Sequence, residues 1–300
     1  MNNIAETISQ GGEEMKVSKI IYVFVVFVSA IILSYSPARA DQFKIAIMQE
    51  ERGAAAKYRQ LETYLKNKGI EFSFVGATNY PAAADMFASG EVDAMFSGSG
   101  IAGTFIIKDL ATPLVRPVSK EGFSTYHATL VARKGSPKFT GSADYFKGKK
   151  VIFTPLASAG EFFYHSIDGI ESAKATTLKA ASHAAAIEAL ANDSADVAIV
   201  KNHMWNKLKS KYPNLISVGE DSEENPDGTL IVSKKADPKI VSRVSAALLA
   251  LKDDNSQEAQ ASRDELGIQA YIKTTTSDFK HTLDILKRAG VDKSFNFSFK

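Results

Sequence analysis

A two-lobed α/β fold with a cleft between its lobes is predicted by three features of the sequence. Residues 43–96 alternate strand-like and helix-like segments in the order βαβαβ, and residues 151–200 do so again. The stretches ADMFASGEVDAMFSGSG and AIEALANDSADVAIVKN echo each other: helix, small or polar turn, aspartate, apolar strand, loop. Two β-rich runs, Tyr126 to Arg133 and Gly228 to Ser233, flank the second unit as two crossings would. Such alternation is the pattern of a parallel sheet covered by helices.

Phe43 to Met48 reads as the first strand. Ala54 to Lys68 reads as an amphipathic helix, with Tyr58, Leu61, Tyr64 and Leu65 on one face and Gly69 as its stop. Ile70 to Val75 is the second strand. Tyr80 to Ser89 is a helix, with Pro81 in the first turn, where a missing N–H costs nothing. Val92 to Phe96 is the third strand. In the second unit, Val151 to Thr154 is a strand, Glu161 to Ile170 a helix and Ala175 to Lys179 a short strand. Ser182 to Ala191 is a helix burying Ala184, Ile187, Leu190 and Ala191, and Asp196 to Val200 is a strand. After the return crossing, helices at Pro238 to Leu251, Ser256 to Leu266 and Ser277 to Ala289 complete the first lobe. The expected lobes are residues 41–127 with 229–300, and residues 128–228. Ligands of open α/β sheets bind beyond the carboxyl ends of the strands, so the cleft between lobes is the expected site.

Residues 1–40 lie outside this pattern. Lys16 and Lys19 precede an apolar run from Ile20 to Leu33, and Ala38-Arg39-Ala40 supplies small residues where a signal peptidase reads. This predicts a secretory signal peptide cut before Asp41, with Met15 an alternative start to Met1. The apolar run is short for a spanning helix, which needs about 20 residues. The chain has no cysteine, which excludes disulfides, thiol catalysis, cysteine metal ligation and a lipid anchor on an N-terminal cysteine. The mature protein is expected to be a soluble periplasmic monomer, its core built from the roughly 260 residues that remain.

The 36 basic and 34 acidic side chains nearly cancel, and no Lys/Arg-dense block is interleaved with aromatics, so nucleic acid is not an expected partner. No Ser/His/Asp set, G-x-S-x-G elbow or H-E-x-x-H motif occurs, so no enzyme is expected. Histidines 127, 165, 183, 203 and 281 are dispersed, which argues against a metal site, and no fingerprint calls for a cofactor.

Four stretches carry a family resemblance: SGEVDAMFSGSG, YHATLVARKGSP, YFKGKKVIFTPLASAGEFF and SHAAAIEALANDSADVAIV. With them the chain resembles the phosphate/phosphite/phosphonate-binding component of ABC transporters, a type 2 periplasmic solute-binding protein. The resemblance covers most of residues 43–290. It implies a Venus-flytrap closure of two lobes on a small-molecule ligand, then docking on an ABC permease. In that family a Ser-Thr-Ser-Gly-like run holds phosphonate oxygens. Here Ala157-Ser158-Ala159-Gly160 occupies the matching place, and two hydroxyls are missing.

The candidate ligand-binding residues follow from strand ends and helix starts. Ser158, Ala159, Gly160 and Glu161 open a helix, whose free N–H groups and partial positive charge favour an anion. The same stretch also reads as an S-x-x-E capping box, in which Ser158 and Glu161 satisfy the helix end without any ligand. A carboxylate at Glu161 would repel a dianion by about 4 kcal/mol at 4 Å and an effective dielectric near 20. A monoanion, a zwitterion with an amine, or a neutral polar ligand therefore fits better. Ser97, Gly98 and Ser99 follow the third strand with the same logic, against a plain flexible turn. Tyr126 and His127 begin the first crossing, where the resemblance implies an aromatic residue closing over the ligand, and hinge packing is the other reading. His183, at a helix start, is expected to be neutral and able to donate to an oxyanion, or else to be a satisfied residue beside the cap. Arg52, in the Glu50-Glu51-Arg52 loop, is more simply a surface residue, and Trp205 and Tyr164 more simply core.

The sequence therefore reads as a solute-binding protein that captures a phosphonate- or phosphite-like oxyanion for import. The alternatives are a receptor serving a membrane histidine kinase, or a binding protein of this fold for a ligand without phosphorus.

Overall fold

The computed structural model describes residues 42–48, 54–156 and 159–299. The predicted signal peptide, the Glu50-Glu51-Arg52 loop, Ala157 and Ser158 lie outside the described residues. Two sheets dominate. The first joins β1 (Phe43–Met48), β2 (Phe72–Ala77), β3 (Ala94–Ser97), β4 (Ala111–Ser119), β12 (Thr229–Ser233) and β13 (Ile268–Lys273), in the spatial order β13-β4-β12-β3-β1-β2. The second joins β6 (Ala128–Arg133), β7 (Lys150–Phe153), β8 (Thr176–Lys179), β9 (Val197–Lys201) and β10 (Leu215–Glu220), in the order β10-β6-β9-β7-β8.

The two orders are the same topology. In each sheet three parallel strands pair as second-first-third, and an antiparallel strand follows the third. In the first sheet that strand is β12, the return crossing; in the second it is β6, the outgoing one. The sequence echo has a matching physical basis. Lys44 N–H donates to Asp93 Oδ2 and Lys150 N–H to Asp196 Oδ2, each at 2.8 Å. The aspartate N–H groups answer on the lysine carbonyls at 2.9 and 2.8 Å. Each aspartate thus ties the start of the third strand to the start of the first.

Helices cover both sheets. On one face of the first sheet, Leu61, Tyr64 and Leu65 of α1 (Arg59–Asn67) pack with Val244, Ala247 and Leu248 of α7 (Pro238–Ala250) and Ala259 of α8 (Gln257–Leu266). Full burial of a leucine or valine among these is worth about 1.5–3 kcal/mol. The other face carries α2 (Tyr80–Ser89), α3 (Ser99–Ile107) and α9 (Lys280–Arg288). Gly103 permits close contact between α3 and α9, because a Cβ there would meet Leu286 Cδ1 at 2.3 Å. In the second lobe, α5 (His183–Ala191) and α6 (Asn202–Leu208) cover one face, where Trp205 is core as expected. α4 (Ala159–His165) lies on the other face, and its Phe162, Phe163 and Tyr164 join a core continuous with that of α3 and α9.

Several expectations shift. The helix predicted to reach Ile170 ends at His165. Its last turn tightens, with Ser166 Oγ donating to Phe163 O at 2.8 Å, and Gly169 then turns left-handed at φ 73°. The outgoing crossing, predicted as one strand, breaks at His127. β5 (Thr125–Tyr126) pairs with β11 (Asn225–Pro226) as a separate two-stranded hinge. His127 instead exchanges hydrogen bonds with Asn202, its N–H donating to Oδ1 at 3.3 Å and its carbonyl accepting from Asn202 N–H at 3.0 Å. β4, β10 and β13 were not predicted. β4 carries Pro113 and Pro117 in a sheet interior, where proline is disfavoured. The pairing accommodates Pro113 with a register shift that skips Leu114.

Candidate ligand-binding cleft

The carboxyl ends of the parallel strands in both sheets border a common cleft. A cavity of about 130 Å³ there is lined from the first lobe by Met48, Thr78, Asn79, Tyr80 and Pro81, and from the second by Thr154, Pro155, Ala180 and Ala181. Asn79 caps α2 by accepting from Ala82 N–H at 2.8 Å, and Ser182 caps α5 by accepting from Ala185 N–H at 3.2 Å. The caps satisfy part of each helix start. Thr154 is different: its Oγ1 is enclosed and has no hydrogen-bond partner. An enclosed hydroxyl left unpaired costs about 1–3 kcal/mol, which an occupant of the cavity can recover.

Residues of both lobes and the hinge also build a polar cluster. Ser99, at the start of α3, has its Oγ hydrogen-bonded to the phenolic oxygen of Tyr126, and both residues are buried. Gly98 precedes α3 without side-chain capping. Ser97 Oγ donates weakly to the carbonyl of Thr229, whose own Oγ1 is enclosed without a partner. The ring of Tyr126 meets His203 edge-on at 6.3 Å and carries Lys201 Nζ 4.9 Å from its centroid. Lys201 Nζ pairs with Asp227 Oδ1 at 2.5 Å, and His203 Nε2 lies 3.4 Å from Asp227 Oδ2.

His183 completes the cluster. Its Nδ1 is enclosed without a partner, as is that of His203. Burial, with the Lys201 charge adding to it, pushes His183 down to about 3; burial also pushes His203 below its usual range. Both rings are therefore neutral at pH 7, and each has one nitrogen to offer. Asp227 is lowered too, which in a carboxyl favours the charged form. Burial opposes its charge, but Lys201 and His203 outweigh burial and hold it below the usual carboxylate range.

Ser97, Gly98, Ser99, Tyr126 and His183 thus gather at one locus. Two candidates, His127 and Glu161, do not join it, and Tyr126 joins it in a role other than the expected one. His127 turns to the hinge, with Nδ1 at 2.9 Å from the Asp221 carbonyl. Tyr126 is 1% exposed and bonded to Ser99, so it is a wall of the cluster rather than a flap over it. Glu161 is 3% exposed, and its Oε2 accepts from Leu156 N–H at 2.7 Å. Leu156 sits at φ 57°, a region costly for a residue with a Cβ, and Glu161 pins that turn. Burial pushes the Glu161 carboxyl up, against the pull of the Leu156 N–H and the Lys179 charge. Gly160 is buried beside it in α4; Ser158 lies outside the described residues, and for Ala159 only the backbone is described.

Lys201, His203 and Asp227 were missed. The internal repeat carried a signal for the first two: Lys201-Asn202-His203 follows β9 just as the glycine-serine run follows β3.

Comparison with known proteins agrees with this architecture. Over 83% of the chain, the fold matches PhnD1 from Prochlorococcus marinus, solved with methylphosphonate, at TM-score 0.65 and 14% identity, covering 98% of that protein. A binding component of an ABC phosphonate transporter from Pseudomonas aeruginosa matches over 83% of this chain and 87% of its own, at TM-score 0.64 and 15% identity. XAC2383 from Xanthomonas citri, solved with ATP, matches over 83% of this chain and 96% of its own, at TM-score 0.66 and 14% identity. No curated protein matches the chain in sequence. The family model described as the phosphonate periplasmic substrate-binding protein of ABC transporters matches residues 43–279. With both sheets, both crossings and the cleft inside that span, the chain belongs to the family of periplasmic phosphonate-binding components of ABC transporters.

Proposed function

We propose that the cleft captures a small phosphorus oxyanion of the phosphonate or phosphite type and presents it to an ABC permease. The observation that carries this reading is that enclosed polar atoms without partners lie on residues bordering the cleft: Thr154 Oγ1 in the cavity wall, and Thr229 Oγ1, His183 Nδ1 and His203 Nδ1 in the polar cluster. Buried polar atoms are nearly always paired, so a concentration of exceptions in a cleft marks groups waiting for a ligand. Ser97, Gly98, Ser99, Tyr126, His183, Lys201, His203 and Asp227 form its wall. Glu161 and His127 support it from behind, holding a turn and the hinge. The lobes move as residues 41–127 with 229–300 against 128–228. The chain works as a monomer in the periplasm after cleavage before Asp41, without a lipid anchor.

Thermal denaturation of the mature chain, stripped of carried solute, tests the reading. A ligand at 100 times its Kd adds about 2.7 kcal/mol, or roughly 5–11 °C for a protein of this size. Methylphosphonate or phosphite is expected to give this shift, sulfate and amino acids none. His183→Ala is expected to weaken binding at least about tenfold, the loss of one hydrogen bond to a charged group. Silence from every phosphorus oxyanion refutes the ligand class while leaving the fold intact.

A further inference from the structure

Lys201 stands out in the comparison of the two lobes. The aspartates Asp93 and Asp196 make the same hydrogen bonds at the same places in the two sheets. Five residues past them lie Gly98 in the first lobe and Lys201 in the second. One lobe thus places no side chain at that point of the cleft, and the other places a full lysine. Its side chain is only 15% exposed, and that of Asp227, its partner at 2.5 Å, is 23% exposed. Its Nζ lies over the Tyr126 ring, 4.9 Å from the centroid. A lysine and an aspartate are thus held in one geometry inside the cleft, beside two neutral histidines.

A carboxylate in such a place is the natural receptor for the ammonium of a ligand. Here it is already occupied. We propose that Lys201 determines specificity: by filling the ammonium locus at Asp227, it sets the cleft for oxyanions that carry no amine. The inference rests on the reading of the cleft as a phosphorus-oxyanion site and names the class within it. The Lys201 ammonium has three N–H groups, and its pairing with Asp227 leaves others for a ligand oxygen. A ligand that brought its own ammonium to Asp227 would meet Lys201 at contact distance. At an effective dielectric near 20 this disfavours it by about a hundredfold or more.

The test compares propylphosphonate with 2-aminoethylphosphonate, which have the same shape and differ by a methyl against an ammonium group. Calorimetric titration of the wild-type protein is expected to favour propylphosphonate at least about a hundredfold. Lys201→Met keeps the reach of the stem and leaves Asp227 unpaired, so the preference is expected to invert. Lys201→Met combined with Asp227→Asn removes both charges and is expected to bring the ratio to within about tenfold of unity. The double variant also leaves no uncompensated charge, so it stands in if the single variant fails to fold. Tighter binding of the amine by the wild-type protein overturns the proposal, as does an unchanged ratio in the variants. If neither phosphonate binds any variant or the wild type, the functional reading falls and the proposal with it. If both bind equally everywhere, only the proposal falls.

Discussion

Removing the C-terminal tail tests how the two lobes are joined behind the cleft. In Phe295, Phe297 and Phe299, alternate residues of the tail turn inward and are half-buried. Phe297 lies 4.9 Å from Phe105 on α3 of the first lobe. Phe299 lies 5.3 Å from Phe162 and stacks on His165 at 3.9 Å and 11°, both on α4 of the second. Lys108 Nζ fixes the tail by donating to the carbonyls of Lys293 and Phe295 at 2.6 and 2.8 Å. Three half-buried rings contribute about 1 kcal/mol each, so a chain ending at Ser294 is expected to lose about 3 kcal/mol. A second effect gives this prediction a signature. Burial pushes His165 down to about 4. A histidine whose folded value lies below its unfolded value supports the fold above pH 6.5 and loses that support as pH falls toward 4. The intact chain therefore loses about 2 kcal/mol from His165 alone by pH 5. The truncated chain, with His165 uncovered, is expected to escape that loss. Urea denaturation at pH 8 and pH 5 reads both effects: a gap near 3 kcal/mol at pH 8 should shrink to about 1 kcal/mol at pH 5. A gap below about 1 kcal/mol at pH 8, or one that does not shrink, refutes the strap.

Two further substitutions probe residues that serve the site indirectly. Glu161→Gln keeps an acceptor for Leu156 N–H and removes a buried charge; because the carboxyl is pushed up, its support is full below about pH 4.3 and fades as pH rises through the folded value, so the variant should equal wild type near pH 4 and exceed it at pH 8 in melting temperature. Asp221→Ala removes the carboxylate that accepts from Asn225 Nδ2 at 3.0 Å and holds His281 at 2.8 Å, joining the return crossing to α9, and should cost about 3–5 kcal/mol by chemical denaturation. Burial lowers His281, but the Asp221 bond and charge outweigh it and hold it raised, so that part of the stability is present below pH 6.5 and is lost above it.

The architecture was legible because it repeats. Asp93 and Asp196 each close the same pair of hydrogen bonds, and a pattern that a chain uses twice is visible without coordinates. Spacing alone announced Leu61, Tyr64 and Leu65 on α1 and Ile187 and Leu190 on α5, whereas Ala184 and Ala191 are only half-buried and Ala186 is buried in their place. What failed were strands whose stability comes from their neighbours. β4 carries two prolines and is held by β12 and β13 from elsewhere in the chain, and nothing local in Ala111–Ser119 announces that pairing. β10 likewise depends on β6, to which it pairs with a bulge between Ser217 and Gly219.

The site was half legible, for a related reason. Sequence reasoning looked for small residues at helix starts, because glycine and serine leave room for an anion and supply donors. That logic singled out Ser97, Gly98 and Ser99, and through the hinge Tyr126, which the fold places beside Lys201 and His203. It passed over Lys201, since a lysine after a strand reads as a solvated surface charge until its carboxylate is found. That carboxylate is Asp227, in the return crossing, and only the fold brings the two to 2.5 Å. Glu161 had two readings, a charge near the ligand and one half of a capping box, and its carboxylate turns to the Leu156 N–H. Its local spacing from Leu156 permits the hydrogen bond that takes it out of the cleft, but the left-handed turn at Leu156 that requires this bond leaves no mark in the sequence. Charge in a cleft is therefore assigned by partners and not by position. A cation close in sequence to the ligand locus becomes part of the site when its anion arrives from another lobe crossing, and an anion equally close leaves the site when the backbone beside it needs an acceptor.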